Sequence, residues 1–410
     1  MKTTKGFIGV MFILALAILL IAPSVELALA QESQILKIGG FNPRSGPAAS
    51  WGLNTDRAID LGADEWNKKG GVTIQGKKYK IEMIHEDDKA RAEEAVKAVN
   101  KLIYTDKVKF IAGPMMSSPF LASAPIIEAT KTITFVGCMA PAVLKDRKYI
   151  FRITVPWNHA APAFFKYVTK IRPNLKTSVH ISSNDATGWS STQADNDSCV
   201  AVGIKVLGSE FYDAGTQDFT SMLARILPLK PDFLSFAGTP PNITALVIKQ
   251  ARELGYKGQF IHSSNCSPDV VGPIAGWENI EGMLLGTFTI NGEKVPATVK
   301  KIHNDWIAKY GQENAGGFGD GIVQYPLIDI LSRGVEKANS LDPDKIVTAL
   351  ENLGTMDTVF GKARWGGMET YNNNHQLLIP IWVSQVQNKK LVLLSLEEPW
   401  DVPPPEQKWR

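Results

Sequence analysis

Residues 35 to 66, ILKIGGFNPRSGPAASWGLNTDRAIDLGADEW, carry two different hydrophobic periods in succession. Ile35 to Phe41 is a largely apolar run ended by Pro43 and Gly46, the mark of a buried strand. The residues after it place Ile59, Ala63 and Trp66 at i, i+4 and i+7, which is one face of a helix. A buried strand, a polar Gly/Pro loop and an amphipathic helix together open a parallel sheet covered by helices.

Outward from this unit the alternation continues. Tyr79 to Ile84 reads as a strand, and the next helix sets Ala92, Ala95, Val96, Val99, Leu102 and Ile103 on one stripe with Glu93, Glu94 and Lys97 facing away. Phe110–Ala112 and Thr132–Val136 read as further strands, with Ser117 expected as the N-cap of the helix between them. After Phe151-Arg152-Ile153-Thr154 the rhythm restarts. Strands are expected at Ser178–Ile181, Ile204–Leu207, Phe233–Phe236 and Gln259–Ile261, separated by helices at Thr192–Val202, Phe219–Leu227 and Ile243–Leu254. An apolar stretch at Met283–Phe288, helices at Ala297–Tyr310 and Ile322–Ala338, and a closing pair of strands around the turn Asn388-Lys389-Lys390 follow. The fold class is α/β, with two units of one architecture.

The 410 residues hold 44 Lys+Arg against 41 Asp+Glu, with 44% hydrophobic and 21% charged residues, the composition of an ordinary globular protein. A net charge of +3 without a basic, aromatic-interleaved run gives no electrostatic footprint for nucleic acid, which is not expected as a partner. Lys2 and Lys5, the apolar run Phe7–Ala22 and Ala28-Leu29-Ala30 before Gln31 read as a secretory signal peptide over residues 1–30; the run is short for a membrane span and ends at Pro23 and Glu26. A protein soluble outside the cytoplasmic membrane follows. Cys138, Cys199 and Cys266 are odd in number and widely spaced, which defines neither a disulfide framework nor a metal site. His262 and Cys266, four apart, lack a second ligand pair.

Signatures of catalysis are missing from the sequence: it has no G-x-S-x-G, H-E-x-x-H, Walker A or G-x-G-x-x-G. The glycine cluster Gly316–Gly321 matches no phosphate fingerprint and reads as a flexible loop before a helix, and Asp87-Asp88 reads as a solvated, helix-capping pair. No enzyme activity, cofactor or metal is expected.

Ser45-Gly46-Pro47 with Trp51-Gly52, Glu65-Trp66-Asn67-Lys68-Lys69-Gly70-Gly71-Val72, Asp87-Asp88, Lys101-Leu102-Ile103, Gly113-Pro114 with Ser117-Ser118, and Phe151-Arg152 fall in order along the chain. Asp218-Phe219, Pro231-Asp232, Gln250-Ala251-Arg252-Glu253-Leu254-Gly255 and Glu281-Gly282 continue the series. This order resembles the leucine/isoleucine/valine-type periplasmic substrate-binding proteins of ABC importers, the type I binding-protein fold. The resemblance implies two Rossmann-like lobes with parallel central sheets, joined by a multi-strand hinge that closes on ligand. The first lobe would span 34–154 plus 286–356, the second 155–285 plus 357–398, and 399–410 would form a tail.

The resemblance also assigns ligand positions residue by residue. Ser117, with Ser118 beside it, matches the serine that meets a ligand carboxylate. Ala140 stands where a threonine would assist it, Pro240 and Thr187 where tyrosines would stand, and Ser264 where a glutamate would pair with a ligand ammonium. Trp51, Trp189 and Met139 would line the cleft, with Met115 and Met116 as core residues or lining and Arg44 as a solvated loop residue. With the ammonium partner replaced by a hydroxyl, the expected ligand is a small carboxylate with an apolar or aromatic body rather than leucine, isoleucine or valine. The implied role is a periplasmic, monomeric receptor that delivers a small molecule to the membrane permease of an ABC importer. Alternatives are a hydrophobic amino acid or amide receptor, a sensor-type receptor and, last, a secreted α/β enzyme.

Overall fold

Strand β1 (Gln34–Asn42) shows how the sequence builds the first layer: Leu36 and Ile38 enter one core and Phe41 another on the opposite face of the sheet. The computed structural model describes residues 34–46, 48–213 and 215–405, so the expected signal peptide and residues 406–410 lie outside the described residues. The first unit continues with α1 (Ala49–Lys68), β2 (Val72–Ile74), β3 (Lys77–Asp87), α2 (Ala92–Asn100), β4 (Phe110–Ala112), α3 (Ser117–Ala129), β5 (Ile133–Val136) and β6 (Ile150–Arg152). The second runs α4 (Trp157–Ile171), β7 (Thr177–Ser183), α5 (Ala186–Ala201), β8 (Lys205–Tyr212), α6 (Thr220–Ile226), β9 (Phe233–Ser235), α7 (Pro241–Glu253), β10 (Gln259–His262), α8 (Pro268–Ala275), α9 (Trp277–Ile280) and β11 (Leu284–Leu285). Helices α10 (Ala297–Tyr310), α11 (Phe318–Gly321), α12 (Pro326–Ala338) and α13 (Pro343–Glu351) precede β12 (Met356–Thr358), β13 (Gly361–Gly366), α14 (Met368–Tyr371), β14 (Gln376–Leu378), β15 (Ile381–Gln387) and β16 (Lys390–Glu397).

These strands form two sheets. The first has the order β12-β13-β14-β6-β5-β4-β1-β3-β2 and the second β16-β15-β11-β10-β9-β7-β8. The parallel centres, β3-β1-β4-β5-β6 and β8-β7-β9-β10-β11, repeat one topology, and antiparallel strands are added at the flanks. In such a sheet the strand order reverses beside β1 in one unit and beside β7 in the other, which opens a crevice at the carboxyl ends of the strands. Helices cover both faces: Ile59, Trp306 and Leu327 pack on one side of the first sheet and Val99, Phe120 and Ile127 on the other. Phe164, Phe165 and Cys199 flank the second sheet opposite Leu223, Val247 and Val271.

Three findings differ from the sequence reading. Strands β12 to β14 join the first sheet, β14 lying parallel to β6, although 357–398 was expected with the second lobe; only β15 and β16 pair there. Ser117 is the first helical residue of α3, and its cap position is Met116. Asp88 is 1% exposed and accepts the Ala90 N–H, while Asp87 takes Arg44 N–H and the Ser45 hydroxyl, so this pair ties two loops together instead of standing in solvent. The closing hairpin is as expected. Its two turn residues, Asn388 and Lys389, both have positive φ (51° and 62°), the conformation whose twist matches two antiparallel strands.

Candidate functional site

The chain passes between the sheets at 153–156, 286–296 and 379–380, and these crossings border a cavity of about 250 Å³. Thr154, Val155, Gly286, Phe288, Ile379 and Pro380 line it from the crossings themselves. Met115 and Met139, from loops after β4 and β5, and Trp157 and Trp382 complete an apolar and aromatic lining. Its polar positions are Thr154, Ser263, Ser264, Asn265, Asp320 and Gln324; among the described residues no Lys, Arg or His lines it.

Each polar group has a traceable position. Thr154 donates to Gly137 O at 3.0 Å. The Ser263 hydroxyl donates to Asp195 at 2.6 Å, and Ser264 stands 3.3 Å from His262 Nδ1, with His262 Nε2 3.0 Å from Thr239 O. Burial lowers the His262 pKa, which keeps that ring neutral. Asn265 on the second lobe donates to Asp320 on the first at 3.1 Å, a hydrogen bond across the cleft. Burial raises the Asp320 pKa against the opposing pull of that bond. Gln324 and Trp382 are each 2% exposed, yet Gln324 Oε1 and Trp382 Nε1 have no hydrogen-bond partner among the described residues.

The loop after β5 is fixed from behind by a buried cation. Arg152, fully buried, donates through Nη1 to the carbonyls of Met139 (3.2 Å) and Ala140 (3.1 Å), and its guanidinium lies 4.8 Å over the Tyr371 ring. The Ala140 N–H in turn donates to Ser117 Oγ at 3.2 Å, which couples the loop to the first turn of α3. Although Arg152 Nη2 has no partner among the described residues, the two carbonyls held by Nη1 leave this loop little freedom.

Of the expected ligand positions, Met139 and Ser264 line the common cavity, Met115 with them. Ser117 and Ala140 touch each other next to it, two residues beyond Met115 and one beyond Met139. Trp51, Ser118, Thr187, Trp189 and Pro240 do not line it; all five are exposed, at the starts of helices that follow strand carboxyl ends. Arg44 is not merely solvated, since its Nε pairs with Asp56 at 3.2 Å. Asp320, Asn265 and Gln324 escaped the sequence reading. Their one signal was the four-residue spacing of Gln324 from Asp320, which sits inside the glycine cluster; that cluster is not the expected flexible loop but the end of a 3-10 turn (Gln312–Gly317) and α11.

Other chemistry-bearing groups lie apart from the cavity. Ser178 Oγ is 2.9 Å from His180 Nε2, and His180 Nδ1 is 3.7 Å from Asp195, but each of the three is at most 1% exposed and out of reach of a substrate. Cys138, Cys199 and Cys266 are free and buried, and among the described residues no group of three or more His, Cys, Asp or Glu side chains is placed to hold a metal. Among the same residues, no helix is long and apolar enough to cross a membrane.

Comparison with known proteins places this geometry. The periplasmic binding protein family model matches residues 35–390. The Leu/Ile/Val-binding protein of Escherichia coli K12 is 27% identical over 343 residues, covering 83% of this chain and 88% of that one. The branched-chain amino acid transporter substrate binding protein LivJ of Streptococcus pneumoniae, solved with isoleucine, superposes with a TM-score of 0.71 at 20% identity, covering 89% of this chain and 99% of the other. An ABC transporter solute binding protein from R. palustris, solved with benzoate, does so with a TM-score of 0.71 at 18% identity, covering 92% and 100%. The chain therefore belongs to the periplasmic binding protein family.

Proposed function

We propose that this chain captures a small carboxylate with an apolar or aromatic body and presents it to the permease of an ABC importer. The reading includes export, with a signal peptide removed after Ala30, and a monomer that closes its two lobes about the crossing strands. One observation carries the apolar or aromatic body: the cavity at the crossings is walled by Met115, Met139, Trp157, Phe288 and Trp382. An apolar body fits these walls, and rings there gain about 0.5–1.5 kcal/mol beyond burial when stacked. The fold itself leaves the choice open, since one relative holds isoleucine and another benzoate.

With no cation at hand, the carboxylate is met by hydrogen-bond donors. The first turn of α3 has no side-chain cap, so its N–H groups and the Ser117 hydroxyl are available to serve an anion next to Met115. A charge-assisted hydrogen bond of this kind is worth about 1.5–3 kcal/mol. A hydrophobic amino acid is the second reading, favoured by Asp320 in the same cavity.

A thermal-shift panel followed by calorimetry tests the proposal. Benzoate and branched aliphatic acids raise the Tm, as linkage requires of a ligand selective for the native state. Ser117→Ala weakens each carboxylate about tenfold. Full affinity in that variant, or no response to any carboxylate, would overturn the reading.

A further inference from the structure

The cavity's lining sets one carboxylate and several other hydrogen-bond acceptors against neutral donors alone among the described residues. Ser263 commits its only proton to Asp195 (2.6 Å) and so offers the cavity lone pairs alone. Gln324 is 2% exposed, lines the cavity and has an amide oxygen without a partner among the described residues. One turn earlier, the Asp320 carboxylate has room for about four hydrogen bonds; Asn265 Nδ2 fills one of them, at 3.1 Å. The donors facing them are neutral, the unpartnered Trp382 Nε1–H and the Gln324 amide among them, and no Lys, Arg or His among the described residues lines the cavity. Asp320 is half-buried, so the cost arises when a ligand fills the cavity and shuts its free lone pairs from water: a ligand that carries a donor removes that cost, and one without a donor incurs it.

We propose that Asp320, supported by Gln324 and Ser263, is the specificity-determining residue of the cavity and selects ligands that bear a hydrogen-bond donor, a hydroxyl or a protonated amine, in addition to their carboxylate. This inference rests on the carboxylate reading above and narrows it. A donor-free acid brings a second negative charge into a cavity that already holds one, and like charges at short range repel. The donor turns that repulsion into a hydrogen bond. Asn265 reaches Asp320 from the other lobe, so the residue that reads the donor also joins the two sides of the cleft.

The test is calorimetry on matched ligands: isocaproate, 2-hydroxyisocaproate and leucine, which differ only at the α-position, and benzoate with 4-hydroxybenzoate. Wild-type protein is expected to bind at least one donor-bearing member of a series about tenfold more tightly than its donor-free parent. In Asp320→Leu that preference falls below threefold, and the donor-free acids bind more tightly than to wild type, a gain that a merely structural role for Asp320 would not produce. Asp320→Asn, nearly isosteric, serves if the leucine variant does not fold, and it separates the donor classes: preference for a hydroxyl persists in part because the amide oxygen still accepts, whereas preference for an ammonium is lost with the charge. Equal affinity for donor-bearing and donor-free acids in wild type would overturn the selection while leaving the carboxylate reading intact. Binding of none of the five would overturn both. An unchanged preference in both variants would remove Asp320 from the role.

Discussion

Helices α1 and α5 are the first crossovers of their lobes, and each is held to its sheet by one buried aspartate. Both have an exposed tryptophan in the first turn, Trp51 (48%) and Trp189 (54%). Beside each stands a glycine, Gly52 or Gly188, where a Cβ would come within 1.9 Å of the carbonyl oxygen of Pro43 or Ser183. The anchors differ in kind. On α1, Asp56 accepts from Asn42 (2.9 Å), pairs with Arg44 (3.2 Å) and lies 3.3 Å from His85, which also meets Asp60 at 2.8 Å. On α5, Asp195 accepts the hydroxyls of Ser235 (2.8 Å) and Ser263 (2.6 Å). One topology is thus fastened by ions in the first lobe and chiefly by hydroxyls in the second. A buried carboxylate needs partners, and on α5, where the nearest ring nitrogen is His180 Nδ1 at 3.7 Å, the short contacts come from hydroxyls.

The largest expected effect comes from removing the second anchor. Asp195→Ala leaves two buried hydroxyls without their acceptor, which costs about 3 kcal/mol, since each unsatisfied buried group costs about 1–3. Urea unfolding midpoints should show the loss at pH 6 and at pH 9 alike. A loss below about 1 kcal/mol would mean that α5 is not fastened through Asp195.

A smaller effect separates the two anchors by pH. Burial alone would lower the His85 pKa, but its hydrogen bonds to Asp56 and Asp60 outweigh that and raise it from 6.5 to about 9. Because the folded value is above the unfolded one, the stabilisation is fully present below pH 6.5 and is lost as the pH rises through about 9. The expected decline across that window is roughly 2 kcal/mol, less than the full separation of the two values would give at about 1.4 kcal/mol for each pH unit between them. His85→Phe should flatten the window while lowering the stability at pH 6. An undiminished decline in that variant would assign the pH dependence to another group.

How much of this was legible in the sequence depended on whether the informative pattern was local. The switch of period between Ile35–Phe41 and Ile59–Trp66 marked the strand and the helix directly, because apolar faces record burial. Helix α5 was expected only from Thr192, yet it starts at Ala186. Its first half is polar and includes buried hydroxyls, with Ser191 donating to Ala237 O and Thr192 to Ser182, so the apolar period that marks a packed face is absent there. Strands β12 to β14 are short, and their place in the first sheet is set by β6, more than two hundred residues earlier in the chain. The cavity followed the same rule: Met139 and Ser264 were accessible to residue-by-residue resemblance, whereas Asp320 enters only because the chain crosses back between the lobes.

The smallest effect concerns the helix starts themselves. Asp185 precedes α5 with extended backbone (φ −148°, ψ 176°), and its carboxylate accepts the Gly188 N–H at 2.9 Å. Asp185→Ala should therefore cost about 1 kcal/mol, the usual value of such a cap, read as a shift in the urea midpoint. Ala48 precedes α1 with φ −95° and ψ 5°, and no side chain caps that helix. A capping side chain reaches back to the N2 or N3 N–H from extended backbone, which position 48 does not have. Ala48→Asp should then gain less than about half of what Asp185→Ala loses, most of it from the helix dipole. A gain equal to that loss would show that the two starts share one capping geometry, and the distinction between the lobes would then lie only in their buried anchors.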